Sequence, residues 1–257
     1  MKLFLHNLVS TWWGISLIVI FSLTVLIFLS ALFYRQFFKR FYDILLSGIG
    51  IIVLSPLLLI LTILGTIKMK GTPFFIQIRP GRNEKLFYLI KFRTMTCETD
   101  ENGNLLPDEK RLIKYGEILR ATSLDELPEL FNIFLGHMSI VGPRPQLVRD
   151  MVFMSPDVRK RHSVHPGLTG LAQCSGRNSV SWEQKFEYDL KYIENITLWG
   201  DIVIMFKTVF KVLKKDGITE EGAVTSTDLG DYLLAKGEIT QEEYDSLQVK
   251  AKELINV

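Results

Sequence analysis

Cysteine is scarce. The 257 residues contain only Cys97 and Cys174, which supply neither a disulfide framework nor a metal-ligand spacing, and two free thiols suit a reducing compartment. Histidine is also rare, with four in the chain, and His137, His162 and His165 match no metal set, so they read as structural or surface residues. The common nucleotide signatures are missing: there is no G-x-x-x-x-G-K-[ST], no G-x-G-x-x-G after a strand, no G-x-S-x-G and no D-x-D pair. Their absence disfavours the standard nucleotide folds. A composition of 47% hydrophobic and 23% charged residues excludes a disordered or collagen-like chain.

What is present is unevenly spread. A mean hydropathy of +0.20 is high for a soluble protein, and the excess sits near the N-terminus. The net charge of +2 conceals a gradient: residues 1–70 carry six cations against one anion, whereas residues 217–257 carry three against nine. A basic, apolar front and an acidic tail fit a protein seated on an anionic membrane surface with its tail in water. Nucleic acid is a poor partner for this pattern, because the basic residues adjoin the apolar segments.

Trp12 to Phe33 is a run of 22 residues without charge, close to the ~20 that cross a hydrocarbon core as a helix. It exceeds the h-region of a signal peptide, the competing reading, and no A-x-A site follows it. Arg35, Lys39 and Arg40 come after it and only Lys2 before it, so the positive-inside bias places its C-terminal flank in the cytoplasm. A second run, Ile44 to Ile67, has 24 uncharged residues and carries Ser55-Pro56 at its middle. Proline removes an N–H and crowds the carbonyl of Ile52, four residues back, which predicts a kink there. The Ser55 hydroxyl is placed to satisfy a freed carbonyl. A crossing would translocate Lys68, Lys70, Arg79 and Arg82 against the charge rule; a re-entrant hairpin returning to its own face would not. A plain second transmembrane helix with a tolerated proline remains the alternative.

Residues 72–95 alternate around Pro80-Gly81-Arg82-Asn83 and read as a hairpin of two short strands. On the second strand Lys91 and Arg93 share one face, with Ile90 and Phe92 on the other. They form either an anion site or a solvated face. A polar loop from Cys97 to Arg111 is followed by a short helix over Leu112 to Leu119. Next, Arg120 leads into Thr122-Ser-Leu-Asp-Glu-Leu-Pro and an apolar pattern of Leu127, Leu130, Phe131 and Phe134. Ser123 and Glu126 have capping-box spacing, although Pro128 also allows a start near Leu127. On both readings Asp125 and Glu126 lie at a helix N-terminus, where N–H groups and the dipole favour a carboxylate and attract phosphate. An ionised carboxylate there can act as a nucleophile or bind Mg²⁺, or it can merely complement the dipole. Gly142-Pro143-Arg144-Pro145 is a stiff turn presenting one guanidinium, suited to phosphate or to an ordinary surface turn. Residues 202–215 give an amphipathic helix with Ile202, Phe206, Val209 and Leu213 on one face, seated on a membrane or on the core. Two further helices, Asp228 to Lys236 and Thr240 to Ile255, joined by a Gly237-Glu238 turn, make up the acidic tail.

Taken together and in order, these motifs resemble the monotopic phosphoglycosyl transferases of bacterial glycan assembly, the bacterial sugar transferase family, from about Phe38 to Gly222. The matching pieces are Arg40-Phe-Tyr-Asp, Ser55-Pro56, Lys91-Phe-Arg-Thr-Met, Thr122-Ser-Leu-Asp-Glu-Leu-Pro, Val141-Gly-Pro-Arg-Pro, Pro166-Gly-Leu-Thr-Gly-Leu-Ala-Gln and Gly176-Arg. Gly176-Arg-Asn-Ser-Val-Ser-Trp-Glu is most similar to the small members that use N-acetylated UDP-sugars. The resemblance implies transfer of a sugar 1-phosphate from a UDP-sugar to undecaprenyl phosphate, with UMP released and Mg²⁺ as cofactor. It implies Asp125 as the nucleophile that forms a phosphosugar-aspartyl intermediate and as a metal ligand, and Glu126 as its catalytic partner. Lys91, Arg93, Arg120, Pro143, Arg144 and Arg177 then take the substrate-binding positions, and Ser55 and Pro56 the re-entrant break. His137 departs from the pattern, standing where Gly-Asp-Met-Ser is usual.

The expected fold is α+β and mainly helical. Residues 1–36 form a transmembrane anchor, 37–70 a re-entrant membrane hairpin broken at Ser55-Pro56, and 71–222 a cytoplasmic catalytic domain with a small β-hairpin and amphipathic interface helices. Residues 223–257 form an acidic helical tail suited to homo-oligomer or downstream glycosyltransferase contacts. The expected location is the bacterial inner membrane, with the catalytic domain on its cytoplasmic face. Two other functions compete: a catalytically silent membrane scaffold or regulator of the same fold, and direct glycosyl transfer releasing UDP, which the missing D-x-D pair disfavours.

Overall fold

The computed structural model describes residues 11–175, 180–214 and 227–256. Helix α1, Trp12–Leu32, starts on Thr11, whose hydroxyl accepts from the Gly14 N–H at 3.2 Å, as an N-cap should. A single π-helical turn, Tyr34–Phe38, leads into α2, Lys39–Met69, which stops at Lys70 in the left-handed conformation. Both helices are long and apolar enough to cross a membrane and suit a membrane anchor. Along α1 nearly every apolar side chain is exposed, which water would not tolerate in a helix this long.

The helix α2 runs through Pro56 without interruption, where the sequence predicts a break. The Ser55 hydroxyl donates to the Ile52 carbonyl at 2.7 Å, capping the acceptor that the proline deprives of its N–H. One side of α2 is apolar and exposed at Ile52, Val53, Leu59, Ile63 and Ile67, while Asp43, Ser47, Leu58, Leu61 and Gly65 are buried. That buried side meets the polar domain at both ends. Near its start Lys39 donates to the Val141 carbonyl at 2.9 Å, Arg40 to the Met138 carbonyl at 3.2 Å, and Asp43 accepts from the Ile140 N–H at 2.9 Å. Near its finish Tyr115 donates to the Leu61 carbonyl at 3.0 Å, and a Cβ on Gly65 would lie 2.9 Å from Pro73.

The domain begins with antiparallel strands β1, Phe74–Pro80, and β2, Leu86–Phe92, in a register that pairs Phe75 with Lys91 and Arg79 with Phe87. Short helices α3, Asp108–Arg111, and α4, Lys114–Thr122, follow, the latter offset from the predicted 112–119. Helix α5, Glu129–Leu135, packs along α2, with Phe134 against Gly48 and Leu130 against Gly50. Strand β3, Ser139–Val141, pairs in parallel with β4, Gly167–Thr169; between them lie α6, Val148–Met151, and α7, Pro156–Arg159. Then come α8, Leu171–Ser175; α9, Trp182–Glu194; α10, Leu198–Lys214; α11, Leu229–Lys236; and α12, Gln241–Ile255.

One expectation is corrected and one open choice is decided. Ser123 does not cap a new helix: at φ 55° it terminates α4, with its N–H on the Arg120 carbonyl, and makes no side-chain cap. Of the two seats open to the apolar face of α10, on the core or on a membrane, the structure excludes the core for Phe206 and Val209, which are exposed. Asp201 and Ile204 are buried, while Trp199, Val203, Phe206, Val209 and Phe210 point outward. The inward carboxylate of Asp201 is held by Lys39 at 2.6 Å, Tyr34 at 2.7 Å and Tyr192 at 3.0 Å, so the polar side of the helix finds its partners inside.

Asn132 ties α5 to the hairpin. Its Oδ1 accepts from the Ile90 N–H at 3.0 Å and its Nδ2 donates to the Tyr88 carbonyl at 2.7 Å. Asn132→Leu leaves both backbone groups without their partner, and the expected loss is about 2–4 kcal/mol, read as a lowered thermal midpoint in detergent.

Candidate active site

Asp125 and Glu126 lie in a 3-10 turn, Leu124–Glu126, which approaches α5 through Leu127 and Pro128. They stand before the helix rather than in its first turn, which holds Glu129 instead. The clamp at Asn132 sets β2 so that Lys91 faces these acids. Lys91 Nζ lies 2.8 Å from Glu126 Oε1 and 3.0 Å from Glu129 Oε1. Arg144 reaches the same Glu126 oxygen at 2.9 Å. One carboxylate oxygen thus receives two cations, and these cations hold the Glu126 carboxyl below the usual carboxylate range against the opposing effect of its burial.

Asp125 is treated differently. No hydrogen bond or ion pair to its carboxylate occurs among the described residues, although the charges of Lys91, Arg144 and Arg120 act on it. Burial and the neighbouring Glu126 carboxylate outweigh those cations and push its pKa up to about 6. Glu129 is 3% exposed and goes up to about 7, first through burial.

The turn carrying Arg144 is held at three successive carbonyls. Pro143 O accepts from the Gly167 N–H at 2.9 Å, Arg144 O from Arg161 at 2.7 Å, and Pro145 O from Arg79 at 3.1 Å. A Cβ on Gly142 would lie 2.5 Å from the His165 carbonyl oxygen, so only glycine lets β3 lead into the turn so close to β4. Arg161 is itself buried, paired with Asp189 at 2.6 Å.

Of the residues singled out in the sequence, Lys91, Asp125, Glu126 and Arg144 come together, with Arg120 close enough to act on Asp125. Pro143 shapes the turn. Arg93 turns away: its guanidinium donates to Cys97 Sγ at 2.7 Å and to the Phe74 carbonyl at 3.4 Å. Arg177 lies outside the described residues. Sequence reasoning missed Glu129, whose i, i+3 spacing from Glu126 was the available signal. It also missed Arg79, which the hairpin register puts on the same face as Lys91. His137 stacks on Phe87 at 5.8 Å, and Arg40, beside it, is satisfied by the Phe134 and Met138 carbonyls. No carboxylate at 137 is required to hold that arginine.

No cluster of three histidine, cysteine or acidic residues fit to hold a metal occurs among the described residues. Mg²⁺ does not need one, since it is commonly bound through one or two carboxylates completed by substrate phosphates and water. Asp125, with uncommitted oxygens, fits that pattern, and Glu126 lies next to it.

Residues 34–215 match the bacterial sugar transferase family. An uncharacterized sugar transferase of Bacillus subtilis, EpsL, is 45% identical over 190 residues, covering 73% of this chain and 93% of that one. The UDP-glucose:undecaprenyl-phosphate glucose-1-phosphate transferase of Klebsiella pneumoniae is 39% identical across 68% of this chain but only 40% of its own length. A UDP-N-acetylgalactosamine-undecaprenyl-phosphate N-acetylgalactosaminephosphotransferase of Aeromonas hydrophila is 35% identical, over 69% and 44% respectively. The chain therefore spans less than half of these two relatives.

A carboxyl that holds its proton more tightly in the folded than in the unfolded chain costs stability once ionised: stability falls as pH rises from about 4 to about 6. Asp125→Asn removes that cost. The variant is expected to be more stable than the parent by about 1–3 kcal/mol at pH 7, with the difference vanishing below pH ~4, where the aspartate is protonated in both states. Thermal midpoints measured across pH in detergent check this; an equal or lower midpoint at pH 7 contradicts the assigned environment.

Proposed function

The chain belongs to the bacterial sugar transferase family, and from that premise we propose that it transfers a sugar 1-phosphate from a UDP-sugar to undecaprenyl phosphate, releasing UMP. The observation that carries this reading is the division of labour between two adjacent carboxylates: Glu126 takes the ion pairs of Lys91 and Arg144, while Asp125 makes none among the described residues. In the proposed first step an Asp125 oxygen attacks the β-phosphorus, and the bond from that phosphorus to the bridging oxygen breaks. UMP leaves with that oxygen, and the sugar phosphate remains on the aspartate. In the second step a phosphate oxygen of the lipid attacks the same phosphorus and restores the Asp125 carboxylate. Covalent catalysis divides one hard displacement into two, and each brings anions together, so Lys91, Arg144 and Arg120 screen their charge. Mg²⁺, bound through Asp125 and Glu126 with substrate phosphate oxygens, would supply further charge neutralisation.

Membrane seating on this proposal uses α2 as a re-entrant element, with the catalytic domain on the cytoplasmic face. Its two ends contact one and the same domain, which a straight crossing helix would not do, and the outward apolar side of α10 suits the same bilayer surface. The N-acetylated donor follows from the resemblance around residue 176, whereas the relatives' names span glucose, galactose and N-acetylgalactosamine. A panel of UDP-sugars therefore identifies the substrate.

In a UMP-release assay with undecaprenyl phosphate and Mg²⁺, the parent chain is expected to turn over one UDP-sugar. Asp125→Asn is expected to release no UMP and to show no phosphosugar adduct by intact mass. Full activity in that variant defeats the nucleophile, UDP as product points to direct glycosyl transfer, and no release with any donor points to a silent scaffold. Because Asp125 must be ionised to attack, the rate should fall as pH drops through about 6. For topology, Lys70→Cys in a Cys97→Ser background should be labelled from the cytoplasm; labelling only from the periplasm overturns the re-entrant seating.

A further inference from the structure

The family match ends at residue 215, yet residues 227–256, the described part of the chain beyond that point, are packed against the catalytic domain. Entry into this extension is fixed by three contacts. Trp182 Nε1 donates to the Thr227 carbonyl at 3.3 Å, Arg149 pairs with Asp228 at 2.6 Å, and the Leu229 N–H donates to Asp150 Oδ1 at 3.0 Å. Leu229 is buried among Met154, Trp182 and Phe186. Tyr232 and Lys236 of α11 both reach Glu183 in the first turn of α9, at 3.0 Å and 2.7 Å.

Two of these contacts lead straight back to the Arg144 turn. The other oxygen of Asp150 accepts from the Leu147 N–H at 3.1 Å, so one buried carboxylate joins the end of the turn to the start of α11. Phe186, which packs on Leu229, also lies under the Arg161 guanidinium at 5.9 Å, and Arg161 holds the Arg144 carbonyl. The extension thus backs one of the three carbonyl contacts that hold the turn, that of Arg161, and through Asp150 it also ties down the end of the turn at Leu147.

We propose that the C-terminal helices are a brace for the Arg144 turn, with Asp150 as the positioning residue shared by turn and brace. The inference rests on the phosphoglycosyl transfer reading for what Arg144 does, though not for how the turn is held. A buried carboxylate accepting two backbone N–H groups from different segments fixes their relative position. Loss of one segment lets water in and frees the other.

Gly230 provides the means to undock the brace without touching the site. A Cβ there would lie 2.7 Å from the Phe153 ring and 3.0 Å from Tyr244, so Gly230→Val in the full chain should dislodge α11. The expected result is faster amide exchange at Leu147 together with a loss of about fivefold to tenfold in kcat/KM for UMP release, short of the ~100-fold that a full 1 Å misplacement can cost. Combined with Arg144→Lys, the loss should be less than additive, because the brace acts through Arg144; a merely global destabilisation would add. Faster exchange over residues 229–236 with Leu147 exchange and turnover unchanged overturns the proposal. If Gly230→Val does not fold, Tyr232→Phe with Lys236→Ala loosens the same helix from Glu183 and is read in the same way. If the parent itself releases no UMP, the transfer reading fails, and Leu147 exchange alone decides the brace.

Discussion

The site depends on one arrangement: two cations, Lys91 and Arg144, converging on a single oxygen of Glu126. Without that acceptor their attraction would fall on Asp125, the next carboxylate along, and an aspartate bound in an ion pair is a poor nucleophile. With it, Asp125 stays inside the cationic field yet makes no ion pair among the described residues. The cations come from distant parts of the chain, a hairpin strand and a turn after β3. Asn132 fixes the strand, and carbonyl contacts from Gly167, Arg161 and Arg79 fix the turn. Three acids within five residues at 125, 126 and 129 would repel one another if left alone; Lys91, lying between Glu126 and Glu129, makes their proximity tolerable.

The environment divides the acids by role. Burial raises all three, and nearby cations lower all three, but to different extents: Glu126 ends below its ordinary range, Asp125 and Glu129 above theirs. Adjacent carboxylates with separated proton affinities are the usual basis for assigning distinct chemical roles to like groups. On the proposed mechanism, a raised affinity also makes Asp125 a more basic carboxylate, which would help attack on phosphorus at a pH that keeps it ionised.

Much of the site was legible in the sequence because its parts are local motifs: Asp125-Glu126, Lys91 on an alternating strand, and a rigid turn bearing Arg144. What was not legible depends on register and on the solvent. Glu129 joins the site only because Asn132 sets β2 opposite α5, and Arg93, two residues from Lys91, goes elsewhere because its strand ends at Phe92 and its guanidinium meets Cys97. Ser123 matched a capping-box spacing, but that pattern does not show that the preceding helix claims the serine as its own terminus. The seat of the apolar face of α10 stayed open in the sequence for a different reason. Apolar periodicity locates a stripe without saying what covers it, and here the polar side, with Asp201, turns inward to Lys39, Tyr34 and Tyr192.

That inward turn makes membrane seating and site geometry one problem. Lys39, Arg40 and Asp43, within the first five residues of α2, grip the main chain at Val141, at Phe134 and Met138, and at Ile140. This is the segment between the end of the helix that carries Glu129 and the turn that carries Arg144. A shift of α2 relative to the domain must therefore move both walls of the candidate site or break four charged contacts to backbone, and charge-assisted bonds of this kind are expensive to leave unmade. On the proposed reading one substrate is a lipid held in the bilayer and the other a soluble nucleotide sugar. A catalytic residue can serve both only if its height above the membrane is fixed. Anchoring the site's own backbone to the membrane helix, rather than joining the two by a linker, provides that constraint.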